Sequence, residues 1–351
     1  MSKQKSKQTS LRQSQPAPEY PVFEIASLLP ITAKHLPRQL VVHLGELAQP
    51  ITSWADLTKS LNASLVSRVE SALGHGDTFH IVARYRRADH SGTLALVVTP
   101  GAPPRLSAMQ SASRDLGVRA LRAGVDSGAL SQRAVTIVGV GAIGSFVADL
   151  LVRSGIGLLS LVDGEILRPG NVVRHLAGLG LVGLPKVEAV RRELLSLGLL
   201  SGDRLIVSSK GLTSFEAAAD LFQNQHLVID ATASGPVLAM LELASQASGA
   251  ALITTGLHRD GDLVRVDRFP ILDGEEHSPA IPMSPTADRQ VLESGCGDPV
   301  SLTPPHSVVA AAALTTKIAV RGLLGRTVPP TTIEVLNPQA DAPYNTEGLV
   351  S

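Results

Sequence analysis

The run Gly139-Val140-Gly141-Ala142-Ile143-Gly144 is where residue types and spacing point most directly to chemistry. It follows the apolar stretch Ala134 to Val138 and precedes a helical pattern, which makes it a tight turn between a buried strand and a helix. In such a turn the first glycine permits the bend and the second lets the backbone approach a phosphate. The third allows close packing of helix on strand. The helix start offers N–H donors and positive potential to an anion. Asp163 closes the next apolar run, Leu158 to Val162, where a carboxylate can bond ribose hydroxyls. These features alone fit a nicotinamide-dependent oxidoreductase best. A second reactive group is Cys296, the only cysteine, in Ser294-Gly295-Cys296-Gly297-Asp298-Pro299. Small neighbours leave a thiolate open to approach as a nucleophile. A free cysteine can equally be a small buried hydrophobe.

The elements that must position these groups alternate along the chain. Strands are expected at Ala134 to Val138, Leu158 to Val162, Arg204 to Ser208, His226 to Ile229 and Ala251 to Thr255. Helices are expected at Ser145 to Ser154, Pro185 to Leu197, Ser214 to Asn224 and Pro236 to Ser248. This alternation predicts an α/β fold with a doubly wound, mostly parallel Rossmann-like sheet. Residues 270–305 have little periodicity and much Pro, Gly, Ser and Asp, and a loop of that length is usually functional or mobile. A buried Ala-rich helix, Val308 to Ala319, and a strand, Thr331 to Leu336, follow. Upstream, a smaller α/β domain is expected: a strand at Gln39 to Leu44, one helix at Trp54 to Ala72, and a hairpin of Phe79 to Arg84 with Thr93 to Val98 around Asp89 to Gly92. Ser107 to Gly124 reads as helix. The domain boundaries are therefore set at 1–19 for a disordered tail, 20–128, 129–325, and 326–351 for a C-terminal strand and tail.

Composition limits the function classes. Hydrophobic residues make up 44% and aromatics 3%, which suits Ala, Val, Leu and Ile packed between helices and a parallel sheet. The 31 basic and 31 acidic residues balance, so charge gives no argument for nucleic acid or an anionic membrane. No apolar run has the length of a membrane span. One cysteine excludes a disulfide within the chain and a zinc site of several cysteines, and it fits a reducing cytoplasm. The tail carries Lys3, Lys5, Lys7 and Arg12 without an apolar core, unlike a secretory signal.

The residues after the glycine turn change the leading interpretation. Asp163-Gly164-Glu165 is followed by Asn171-Val172-Val173-Arg174-His175, then Gly183-Leu184-Pro185-Lys186, then Asp230-Ala231-Thr232. This order resembles the ThiF/MoeB/ubiquitin-activating-enzyme (E1-like) adenylyltransferase superfamily over about 195 residues, and it is similar above all to bacterial members of ubiquitin-like conjugation systems. The resemblance implies an adenylation domain binding ATP and Mg²⁺ through Gly139, Gly141, Ala142, Ile143, Gly144, Asp163, Glu165, Asn171, Arg174, Lys186 and Asp230. Asp163 would hold the ribose, Asn171 and Arg174 the phosphates, Lys186 the β/γ-phosphates, and Asp230 the metal. Two departures stand out: His175 replaces the usual Gln after the Arg, and no acid follows Asp230 closely.

The activity so implied is adenylation of the C-terminal carboxylate of a ubiquitin-like protein ending in Gly. Transfer to Cys296 as a thioester and passage to an E2-like conjugating enzyme would follow. The alternative within the fold is an adenylyltransferase acting on a sulfur carrier or peptide, without a thioester. The family also implies a homodimer, with an arginine reaching across it; Arg119 or Arg122 fits by position.

Overall fold

The computed structural model describes residues 39–350 apart from 48, 89, 110–120, 125, 283–290, 293–298 and 301. The expected tail, Arg119 and Cys296 lie outside the described residues. Two compact units divide the chain, Met1–Val118 and Arg119–Ser351.

In the first unit, β1 (Gln39–Glu46) is followed by α1 (Trp54–Lys59), α2 (Ala63–Gly74), β2 (Phe79–Arg87), β3 (His90–Thr99) and β4 (Arg105–Met109). The sheet order is β1-β2-β3-β4, with β1 parallel to β2 and the rest antiparallel. Period-two alternation puts Ile81, Ala83, Leu96 and Val98 on one face, packed with Trp54, Leu57 and Val69 of the helices. The single helix expected at Trp54 to Ala72 is two. Ser60 ends the first, and the Asn62 side chain caps the second by accepting from the Leu65 N–H. The hairpin turn is also tighter than expected, since Ser91 and Gly92 already pair with Arg86 and Tyr85. The start of the helix expected at Ser107 is strand instead, because Arg105–Met109 completes the ladder on β3.

The second unit runs α3 (Ser127–Leu130), β5 (Ala134–Val138), α4 (Ala142–Ser154), β6 (Leu158–Val162), a 3-10 turn (Pro169–Arg174), α5 (Lys186–Ser196), β7 (Leu205–Ser208), α6 (Phe215–Asp220), β8 (Leu227–Asp230), α7 (Gly235–Ser248), β9 (Leu252–His258), β10 (Leu263–Phe269), β11 (Val291–Leu292), β12 (Pro299–Val300), α8 (Pro305–Leu323), β13 (Thr331–Val335) and β14 (Gly348–Leu349). Eight strands form one sheet in the order β14-β13-β10-β9-β8-β5-β6-β7. The five from β7 to β9 are parallel; β10, β13 and β14 extend the sheet in antiparallel pairs. Val135 and Ile137 bury against α4, α5 and α8, whereas Val138 and Val228 bury against α6 and α7. The chain therefore forms the expected α/β, doubly wound, mostly parallel sheet.

Two features of this unit differ from the expectation. Strand β10 was not expected; it folds back on β9 through Arg259, Asp260 and Gly261, which all have positive φ. The first part of the 270–305 segment is also pinned rather than loose. Arg268 donates to the Pro270 carbonyl and pairs with Glu275, and Arg265 donates to the carbonyls of Ser278 and Pro279 at 2.7 and 2.6 Å. Arg259 donates to the Pro282 carbonyl at 3.3 Å and forms a two-pronged pair with Asp341. Three arginines thus turn 270–282 into a strap.

Candidate nucleotide site

Strand order reverses between β5 and β8, and in an open α/β sheet the crevice at the carboxyl ends of such strands is where ligands sit. Register fixes what faces that crevice. Val138 pairs with Val162 on one side and Asp230 on the other, so three strands end level. The Gly139 N–H donates to the Val162 carbonyl and the Ala231 N–H to the Val138 carbonyl, both at 2.8 Å. Gly139 turns the chain at φ +85°, where a Cβ would lie 2.8 Å from the Ala231 backbone. Gly144 brings α4 in so close that a Cβ would lie 1.9 Å from the Gly139 carbonyl oxygen. Gly141 has open space around it. The first turn of α4 has N–H groups without partners inside the helix, so the turn can accept an anion.

Asp163 braces this turn. Its two oxygens accept from the N–H groups of Val140 and Glu165, each at 2.8 Å. From there the chain is tied to the start of α5 by a short ladder: Leu167 to Leu184, Gly183 to Leu167, and Lys186 to Glu165 at 2.9 Å. The ladder places the 3-10 turn carrying Asn171 and Arg174 beside Lys186. The three meet Gly141, Ala142 and His175 around one small recess. Lys186 is buried to 8% exposure, yet its ammonium pairs at 2.5 Å with the exposed Glu165 carboxylate. The Asn171 side chain accepts from the Arg168 N–H, closing the 3-10 turn. The Arg174 guanidinium reaches the Thr303 carbonyl at 3.5 Å.

Across the glycine turn, Asp230 is 4% exposed. Its Oδ1 accepts from the N–H and hydroxyl of Thr232 at 2.9 and 2.7 Å, leaving Oδ2 for the cleft. Burial raises its pKa. A cation beside the remaining oxygen would offset the cost of burying this charge. Among the described residues no group of three His, Cys, Asp or Glu side chains could hold a metal. A cation there would need most ligands from a bound phosphate, which is how magnesium is usually held.

Beyond the turn, a cleft of about 640 Å³ extends along β9 and β10, lined by Ala142, Ile143, Arg174 and Asp230 at one end and by His258, Arg265 and Ile281 further on. Burial and the neighbouring Arg265 lower the His258 pKa. The structure thus brings together every expected site residue of the glycine turn, Asp163, Glu165, Asn171, Arg174, Lys186 and Asp230. Arg122 lies in a short exposed 3-10 turn and touches none of them in the contacts described. His258, Arg265 and Asp267 are wall residues that sequence reasoning missed. The signal was Asp260-Gly261 between two apolar stretches, a hairpin mark that places the following strand beside β9.

A sequence profile of the ThiF family matches residues 113–333, well over half of the chain. The chain belongs to the ThiF family. This ThiF-family chain is 35% identical over 117 residues to the ATP-dependent ubiquitin transferase-like protein Cap2 of Vibrio cholerae, covering 32% of this chain and 19% of that protein. It is 42% identical over 66 residues to the tRNA threonylcarbamoyladenosine dehydratase of Bacillus subtilis, covering 18% and 26%. Ubiquitin-like modifier-activating enzyme 5 of Aedes aegypti is 34% identical over 89 residues, covering 25% and 22%. The chain thus matches only 19–26% of the length of these relatives. Among solved structures, Escherichia coli MccB with ATP aligns at a TM-score of 0.46 and 18% identity, over 60% of this chain and 62% of that one. No helix among the described residues is long and apolar enough to cross a membrane.

Proposed function

We propose that this ThiF-family chain adenylates the C-terminal carboxylate of a ubiquitin-like protein with Mg-ATP. The observation carrying this reading is the convergence of Asn171, Arg174 and Lys186 on the glycine turn, with the Asp230 carboxylate across from them. The cationic pair suits a triphosphate. As the carboxylate oxygen attacks the α-phosphorus, the bond to the β-phosphate breaks and charge moves onto pyrophosphate, where Arg174 and Lys186 stabilise it. Asp163, fixed by two backbone N–H groups, faces the ribose. Magnesium held by Asp230 and the phosphates would neutralise the remaining charge. The cleft along β9 receives the acceptor's C-terminus. Similarity to Cap2 and to ubiquitin-like modifier-activating enzyme 5 supports a ubiquitin-like protein as the acceptor.

The Cys296 thiolate then attacks the acyl carbon, AMP departs, and the thioester passes to an E2-like enzyme. The enzyme works as a homodimer in the cytoplasm, a setting that suits a lone thiol. Its N-terminal domain, residues 20–128, docks the acceptor or the E2-like partner or supports dimerisation, and contributes no thiol.

The test is pyrophosphate exchange into ATP in the presence of a small Gly-terminated protein encoded nearby. Exchange should require Mg²⁺ and vanish in Asp230→Ala; normal exchange in that variant refutes the assignment. Cys296→Ser should keep exchange and lose the reductant-sensitive adduct. Exchange without any such adduct in the wild type favours the adenylate-only alternative, with a sulfur carrier or peptide as acceptor. Light scattering that returns a monomer mass counts against the dimer.

A further inference from the structure

His175 stands where the family resemblance leads one to expect glutamine, and its surroundings define what it does. The ring is 6% exposed. Its Nδ1 accepts from the Ala177 N–H at 3.0 Å, so the ring proton sits on Nε2, which donates to the Val140 carbonyl at 2.9 Å. One imidazole therefore spans two segments 35 residues apart, the centre of the glycine turn and the chain just past Arg174. The same junction is closed once more where the Leu176 N–H donates to the Ser145 hydroxyl at 3.2 Å. On its other side the Val140 peptide donates to Asp163.

We propose that His175, in its neutral Nε2–H form, is the positioning residue that fixes the Arg174 turn to the phosphate-binding turn, so that nucleotide affinity depends on this imidazole staying uncharged. The inference rests on the ATP reading above. A protonated ring would point an N–H at the Ala177 N–H, two donors face to face, and the junction would open. Burial lowers the His175 pKa and keeps it neutral; the charged groups facing it are Lys186, which acts in the same direction, and Asp163, which opposes it. Glutamine offers the same pair of functions, an N–H donor for Val140 and a carbonyl acceptor for Ala177, but does not titrate.

The experiment measures Mg-ATP affinity of the full chain by calorimetry for wild type, His175→Ala and His175→Gln. His175→Ala should weaken binding roughly tenfold to a hundredfold, as expected for a misplaced phosphate ligand. His175→Gln should stay within about twofold of wild type near pH 8. The ratio of wild-type to His175→Gln affinity should hold from about pH 8 to about 6.5, the ordinary imidazole value, and fall only below it, because burial holds the ring neutral longer and only the imidazole titrates while protonation of the triphosphate cancels. A ratio constant with pH, or a glutamine variant as weak as alanine, overturns the proposal. So does a His175→Ala protein that melts lower but binds Mg-ATP as wild type does. Absence of binding by the wild type would instead remove the ATP reading itself.

Discussion

Substituting the glycines of the turn one at a time separates folding from ligand binding. At Gly144 an added Cβ would sit 1.9 Å from the Gly139 carbonyl oxygen. Ordinary C···O contacts begin near about 3.3 Å, so the start of α4 must retreat by roughly 1.4 Å. Gly139 cannot yield in its place, since its own N–H is bonded to Val162 and its φ of +85° packs it on Ala231. Overpacking of this kind costs about 1–3 kcal/mol, and a backbone obstacle places Gly144→Ala at the upper end. For a unit of this size each kcal/mol lowers Tm by about 2–4 °C, so a drop of about 6–12 °C is expected. Gly141 meets nothing within 4 Å and has negative φ (−81°). Gly141→Ala should therefore cost about 1 kcal/mol, well below Gly144→Ala. Its defect should appear only with ligand: a methyl where phosphate approaches should weaken Mg-ATP by about five- to 150-fold, the same 1–3 kcal/mol expressed as affinity. Scanning calorimetry of both variants, paired with Mg-ATP titration, reads the two quantities independently. A Gly141→Ala protein that melts as early as Gly144→Ala, or binds Mg-ATP as wild type does, refutes this division of roles.

Further outcomes follow from the same geometry. Asp230→Asn keeps the acceptor for Thr232 and removes a charge that burial disfavours. Because the folded pKa is raised, ionising Asp230 costs stability as pH rises through that pKa, so the apo variant should melt higher than wild type at neutral pH while exchange falls by about a hundredfold or more. A lower Tm would contradict the assigned burial cost. Arg265→Ala strips the strap of its two carbonyl contacts and leaves Asp267 without its 2.7 Å partner, which should cost about 3 kcal/mol in urea denaturation. A loss under about 1 kcal/mol would show the strap to be held elsewhere. His175 and His258 both have lowered pKa values, so the unfolded chain binds more protons below its pKa of about 6.5. Stability should decline as pH falls from about 6.5, and less steeply in His175→Gln; identical pH profiles would exclude His175 as a contributor.

Features encoded locally were legible in the sequence. Four apolar residues around Thr136 in Ala134–Val138, rich in β-branched side chains and followed by a glycine turn, read as a strand covered on both faces, and the glycine turn follows from the backbone it must form. Strand β10 was hidden because Arg265 and Asp267 look like surface charges until pairing shows that each satisfies the other beside the cleft. The break between α1 and α2 rests on one side chain, Asn62, against apolar spacing that continues across it. The meaning of His175 depends on a carbonyl 35 residues away, a distance over which spacing carries no signal.

The strap and the start of α8 act as two fixed posts. Pro282 is held by Arg259, Ile281 sits in a small core with Tyr344, and Thr303 receives Arg174. With both ends so placed, lengthening the connection is cheap, since doubling a flexible connection costs only about 0.6 kcal/mol. Natural variation, or an engineered insert carrying a reporter, can therefore accumulate between Pro282 and Thr303 with little effect on the sheet that holds the glycine turn.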